Sequence, residues 1–134
     1  MPVIHTLEPV ARSFLRIVAG FTFSLHGMQK VLGLFGGIGG KGGTASFASL
    51  PWFAGGLELI GGLLLVLGLF TSPVAFILSG EMAVAYFRAH FPHGFLPLVN
   101  HGELAVLYCF IFFYLWTGGA GPLSLDALVR KESS

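Results

Sequence analysis

Apolar positions gather into four runs, at residues 12–34, 51–70, 73–90 and 101–116, separated by breaks rich in glycine, proline or hydroxyl residues. Each run reads as a helix. At 1.5 Å of rise per residue, a stretch of about 20 apolar residues crosses a hydrocarbon core of about 30 Å. The fourth run is short but suffices if it stands nearly upright. Residues 1–11 form a lead-in, with Pro9 suited to a first helical turn and Glu8 to its positive end. Residues 35–50, FGGIGGKGGTASFASL, form a glycine-rich loop, within which residues 44–50 could make a short interfacial helix capped by Thr44. The Thr71-Ser72-Pro73 break is tight, so the second and third helices should be antiparallel neighbours. Residues 91–100, FPHGFLPLVN, are apolar yet carry two prolines and a glycine, as a lid over the bundle would. Residues 124–130 read as a short amphipathic surface helix. The pattern predicts one domain over residues 1–134: an all-α integral membrane protein built as a four-transmembrane-helix bundle.

Composition strengthens that expectation. The chain is 54% apolar and 10% charged, with 14 phenylalanines and a mean hydropathy of +0.84, whereas soluble domains carry about 25% charged residues. The net charge of +1 and the lack of any basic run give no reason to expect a nucleic-acid partner. The glycine loop contains no GxxxxGK[ST], so no nucleotide site is expected. The single cysteine, Cys109, lies in an apolar run and reads as a buried thiol. The first apolar run continues too far for a cleaved signal segment, so the first helix is expected to be retained. Four spans put both termini on one side. Arg12, Arg16, Arg130 and Lys131 lie there, against Lys30, Lys41 and Arg88 opposite, which places the termini in the cytoplasm.

Candidate chemistry sits on the other side. The first helix carries FTFSLHGMQK, in which Thr22, His26 and Lys30 recur at four-residue spacing on one face. His26, Glu58 and Glu81 each fall about 10–13 Å from the outer ends of their helices. Lys30, Arg88, His90, His101 and Glu103 lie nearer the rim. The opposite half of the spans looks almost purely apolar. Glu58 shares a face with Gly55, Gly61 and Gly62, so it should point into a close helix contact. On the fourth helix Glu103, Leu107, Phe110 and Tyr114 share a stripe. Taken singly, each polar residue has a bland reading: a satisfied core histidine at His26, a structural hydrogen-bond partner at Glu81, and snorkelling at Lys30, Arg88 and His90. His5 and His93 read as solvated. Coincidence of depth across separate helices favours a shared pocket, because ionisable groups inside spans usually mark function. His26, Glu58 and Glu81 are the candidate catalytic, proton-handling groups; Lys30, Arg88, His101 and Glu103 are candidate substrate contacts. An apolar pocket with proton donors suits a quinone or another small apolar substrate. A metal centre is not expected, for there is no HExxH and no Glu-x-x-His pair, and haem ligation by His26 lacks a partner histidine at matching depth.

Several segments together resemble the DoxX family: HGMQK at 26–30, FGGIGG and ASFASL at 35–50, GGLELIGGLLLVLGLFT at 55–71, HGFLPLVNHGELAVLY at 93–108 and PLSLDALV at 122–129. The resemblance implies a four-helix protein of the bacterial inner membrane, loosely tied to quinone-linked oxidoreduction, sometimes as one subunit of a membrane oxidoreductase complex with a soluble partner. Carried onto this chain, its motif positions are His26, Lys30, Glu58 and Glu103. One departure is His101, where the family pattern has glycine. The competing expectation is a non-catalytic binding or assembly subunit, or a small-molecule or proton permeation path. Glycine-rich faces further suggest self-association into a homo-oligomer.

Overall fold

The computed structural model describes residues 2–133, and among them every regular element is helical. Four long helices form the body: α1 (Glu8–Leu32), α2 (Leu50–Leu67), α3 (Thr71–Ala85) and α4 (Glu103–Gly118), followed by a shorter α5 (Leu125–Ser133). A four-residue turn, Pro2–His5, precedes α1. α1 therefore starts four residues earlier than the hydrophobic run suggests, because Pro9 sits in its first turn and Glu8 complements its positive end. The expected short helix over residues 44–50, with Thr44 as its cap, does not form; Ser49 caps the next helix, its hydroxyl accepting from Trp52 N at 3.3 Å. α3 runs on through a π-helical turn, Tyr86–His90, into a 3₁₀ turn, Phe91–His93.

α1 packs chiefly on α2, and α3 chiefly on α4; the two pairs meet along α2 and α3. The first seam is made of glycines. A Cβ on Gly20 would stand 2.7 Å from Gly62 O, and a Cβ on Gly62 would stand 2.7 Å from Gly20 O. Lower on the same seam, Gly27 abuts Gly55 and the Leu59 backbone. Backbones this close exchange dispersion contacts that any larger side chain would prevent. The core proper is Phe23, Leu65, Leu78, Tyr108, Phe112 and Leu115. Phe23 meets Tyr108 and Phe112 edge-on with ring centroids 4.9 Å apart, a preferred aromatic geometry.

The distribution of polarity is inverted. Phe14, Val18, Ile60, Phe76, Ile77, Val84, Leu107 and Phe110 all stand exposed on the long helices, while Ser13, Arg16, Ser24, Glu58, Thr71, Ser79 and Asn100 are buried. Among the described residues, only Leu50–Leu67 is both long and apolar enough to cross a bilayer by itself; Glu103–Gly118 is apolar but shorter.

One expectation fails clearly. The half of the bundle nearer the termini is not purely apolar, for Arg16 is fully buried there. Its Nε donates to Leu65 O at 2.8 Å, its Nη1 to Ala120 O and its Nη2 to Leu123 O at 2.6 Å. Beside it, the Asp126 carboxylate accepts from the Phe70 and Thr71 amides at 2.9 Å each and so caps α3 from α5. Arg16 is a structural clamp on the C-terminal segment, not a headgroup contact.

Candidate functional site

The glycine seam positions the first pair of functional side chains. Lys30 follows Gly27 by three residues, Glu58 follows Gly55 by three, and Lys30 Cβ would lie 2.8 Å from a Cβ on Gly55. The close approach brings the Lys30 ammonium onto both Glu58 oxygens, at 3.0 and 2.7 Å. Glu58 is 2% exposed and the Lys30 side chain 34% exposed. The carboxylate is thus committed to the interior, while the ammonium reaches the surface of a cavity.

That cavity holds about 310 Å³ among the four long helices, with α2 contributing Glu58. Its polar lining is His26, Lys30, Glu58, His90, His101 and Tyr108; its apolar lining includes Phe23, Met82, Leu104 and Ala105. Four of the seven residues singled out in the sequence therefore converge: His26, Lys30, Glu58 and His101. His26 stands over Tyr108, ring centroids 6.1 Å apart and nearly perpendicular. The Tyr108 hydroxyl and Thr22 Oγ1 share a hydrogen bond of 2.7 Å. His26 also lines a second cavity of about 280 Å³ with Thr22, Leu25, Gln29 and Phe35, so it forms part of the wall between two spaces.

Glu81 lies behind the cavity rather than on its wall. Its carboxyl group reaches Glu58, and both of its oxygens are sealed from solvent without a hydrogen-bond donor. Arg88 and Glu103 do not join the site; both are exposed and neither lines the cavity. For Arg88 the cause is the π-helical turn at Tyr86–His90: seven residues after Glu81, Arg88 would share its face on a regular α-helix, and the turn rotates it away. For Glu103 the cause is helical phase. Glu103, Leu107, Phe110 and Tyr114 do share a face, but it is the outer one, and the inward face is Ala105, Tyr108, Phe112 and Leu115.

Two lining residues were not among the candidate site residues. Tyr108 is one aromatic among many and carries no polar neighbour in sequence. His90 looks like a rim residue until the π-helical turn brings it to the cavity, where its Nδ1 stands 3.2 Å from Asn100 O. The segment read as a lid is braced. Asn100 is 2% exposed; its amide donates to Gly94 O at 2.9 Å and Tyr86 OH at 3.1 Å, and its oxygen accepts from Gly102 N at 2.8 Å. His101 follows in the left-handed region, φ 61°, the conformation glycine adopts without strain. No group of three or more metal-ligating side chains gathers among the described residues.

An apolar coat around buried charges and a cavity with polar groups set in apolar walls, in an all-helical bundle, defines a small helical membrane protein. A DoxX family model matches residues 11–91, and the chain belongs to the DoxX family. A Haemophilus influenzae relative described as "Uncharacterized protein" is 44% identical over 96% of this chain and 98% of its own length. A second protein of that organism, with the same description, is 36% identical over 63% of this chain and 56% of its length. "Putative oxidoreductase CatD" of Bacillus subtilis is 29% identical over 87% of this chain and 85% of its length. No solved structure matches.

Proposed function

We propose that the protein is a four-span protein of the bacterial inner membrane, with both termini cytoplasmic, that binds a quinone or a similar small apolar molecule as part of a membrane oxidoreductase system. The four-span reading rests on the apolar residues exposed along all four long helices, since patches of that extent suit lipid rather than water. The observation that carries the functional reading is the cavity, where apolar walls meet His26, His101, Tyr108 and the Lys30–Glu58 pair. Its volume lies at the lower end of ligand pockets, and a few convergent polar groups in an apolar lining are the usual arrangement for orienting a ligand. Lys30, His26 or Tyr108 would donate to a carbonyl oxygen, and Glu58, Glu81 and His26 would supply or take up protons. The oxidoreductase class is supported by the name of the Bacillus subtilis relative. Electrons would come from another subunit, since the chain has no nucleotide motif.

The test is direct. Purified protein, extracted with organic solvent, should release a quinone, and a short-chain ubiquinone analogue should bind the stripped protein. His26→Ala and Glu58→Gln should each weaken that binding at least tenfold while helical content stays the same. Unchanged affinity in both folded variants overturns the reading. The alternative, a permeation path, predicts proton or solute flux into liposomes containing this protein alone, lost in the same variants.

A further inference from the structure

Beyond ligand binding, the charges behind the cavity do not balance. Lys30 supplies one positive charge and spends its contacts on both oxygens of Glu58. Glu81 is a second carboxyl against the same Glu58, with both oxygens buried and no donor to either. If both acids were ionised, the cluster would hold one uncompensated negative charge, and two carboxylates would face each other with nothing between them. Burying an unpaired charge costs several kcal/mol. The cavity's other titratable groups, His26, His90, His101 and Tyr108, make no ion pair or hydrogen bond to either acid among the described residues. From the elements packed around Glu81, the charged groups that act on it are Glu58 of α2 and Lys30 of α1.

We propose that Glu58 and Glu81 form a proton-binding site that holds one proton between them, with Glu81 as the acid that donates to a Glu58 oxygen. The proton supplies both missing features: it brings the cluster to neutrality beside Lys30, and it turns one of the facing oxygens into a donor. Lys30 is the fixed counter-charge and the proton the exchangeable one. When the proton leaves, the O–H bond of Glu81 breaks, its electron pair stays on the carboxylate, and the cluster becomes anionic. The half-exposed Lys30 ammonium borders both the acids and the cavity, so a ligand that draws it away from Glu58 would raise the proton affinity of the pair. This site stands whatever molecule the cavity takes.

Infrared spectroscopy of the full-length protein in detergent micelles at neutral pH tests it. The native spectrum should contain the carbonyl band of a protonated carboxyl group, shifted slightly in D₂O. Glu81→Gln should abolish it, because Glu8 and Glu58 are ion-paired, Glu103 is exposed and Asp126 accepts from two backbone amides. Glu58→Gln should abolish it too, because Glu81 is then the one carboxyl left to balance Lys30. Replacing sodium by choline should leave it in place. The proposal is overturned if the folded native protein has no such band, if the band survives Glu81→Gln unchanged, or if sodium removes it, which would make the bound cation a metal ion. If Glu81→Gln does not fold, the native spectrum and Glu58→Gln decide between the same outcomes.

Discussion

Lys30 and Glu58 form one ion pair, yet removing either partner should have unequal effects. Lys30→Met retains the aliphatic stem that packs on Gly55 and deletes only the charge and its donors. It strands a carboxylate that is 2% exposed and already faces Glu81. Breaking a buried pair in this direction costs about 3–5 kcal/mol, because the charge left behind has no route to water. Glu58→Gln leaves an ammonium on a side chain that is 34% exposed, free to swing toward the cavity, and keeps one carbonyl oxygen as an acceptor. The loss is then nearer that of an ordinary charged hydrogen bond, about 1.5–3 kcal/mol. The double variant should be more stable than Lys30→Met alone, since the second change removes the charge that the first one orphaned. Unfolding in mixed micelles, followed by circular dichroism, gives all three values and the coupling energy. If Lys30→Met is no less stable than Glu58→Gln, or if the two losses simply add, the carboxylate is not the trapped partner and the burial argument fails.

Three further outcomes follow from single contacts. Arg16→Leu removes the donor from Leu65 O, Ala120 O and Leu123 O together; at about 1.5–3 kcal/mol per charged hydrogen bond, partly overlapping, the loss should exceed about 4 kcal/mol, and protease should release the segment after Gly118 first. Gly27→Ala places a methyl against Gly55 and the Leu59 backbone, forcing α1 and α2 apart. Overpacking of this kind costs about 1–3 kcal/mol, and a cysteine cross-link engineered across the seam should form more slowly. His101→Gly removes a side chain from a backbone at φ 61° and should raise stability by about 1 kcal/mol, measured by the same unfolding titration. A destabilised His101→Gly would mean that the imidazole contributes more to the cavity rim than its backbone strain takes away.

How far the sequence carried depended on which periodicity it had to use. Lys30 and Glu58 were legible because Lys30 lies four residues from His26 and Glu58 three from Gly55, and helical spacing survives intact over such short distances. The helices themselves were legible from hydropathy, with ends in error by one to five residues, the largest where Pro9 and the 86–90 turn redraw them. Arg88 was misplaced and His90 undervalued for one reason. A π-helical turn adds a residue to a helix and rotates everything beyond it, and no composition signal marks YFRAH as the site of one. The stripe through Glu103 was a true helical face assigned to the wrong side, because a helix that is apolar all round gives no moment to orient it. Arg16 was invisible for a different reason: its partners are backbone carbonyls, which have no letter in the sequence.

The two cations inside the bundle, Arg16 and Lys30, show why an interior position alone does not distinguish structure from function. The nitrogens of Arg16 reach three carbonyls that lie at the end of α2 or follow α4. Leaving that arrangement would cost every bond at once and offer a ligand nothing that the backbone does not already hold. A guanidinium saturated in this way is a rivet, and the C-terminal segment is ordered by it. The ammonium of Lys30 meets one carboxylate and keeps an edge on a cavity, while the next carboxyl, Glu81, has no protein donor at all. Evolution can remove an unmet valence of this kind with a single substitution to glutamine, which would balance the charge and supply the missing donor. Glutamic acid at that position, beside an internal cavity, is therefore better explained by a use for the missing charge than by a need to hold the helices together, which Gly20, Gly27, Gly55 and Gly62 already do.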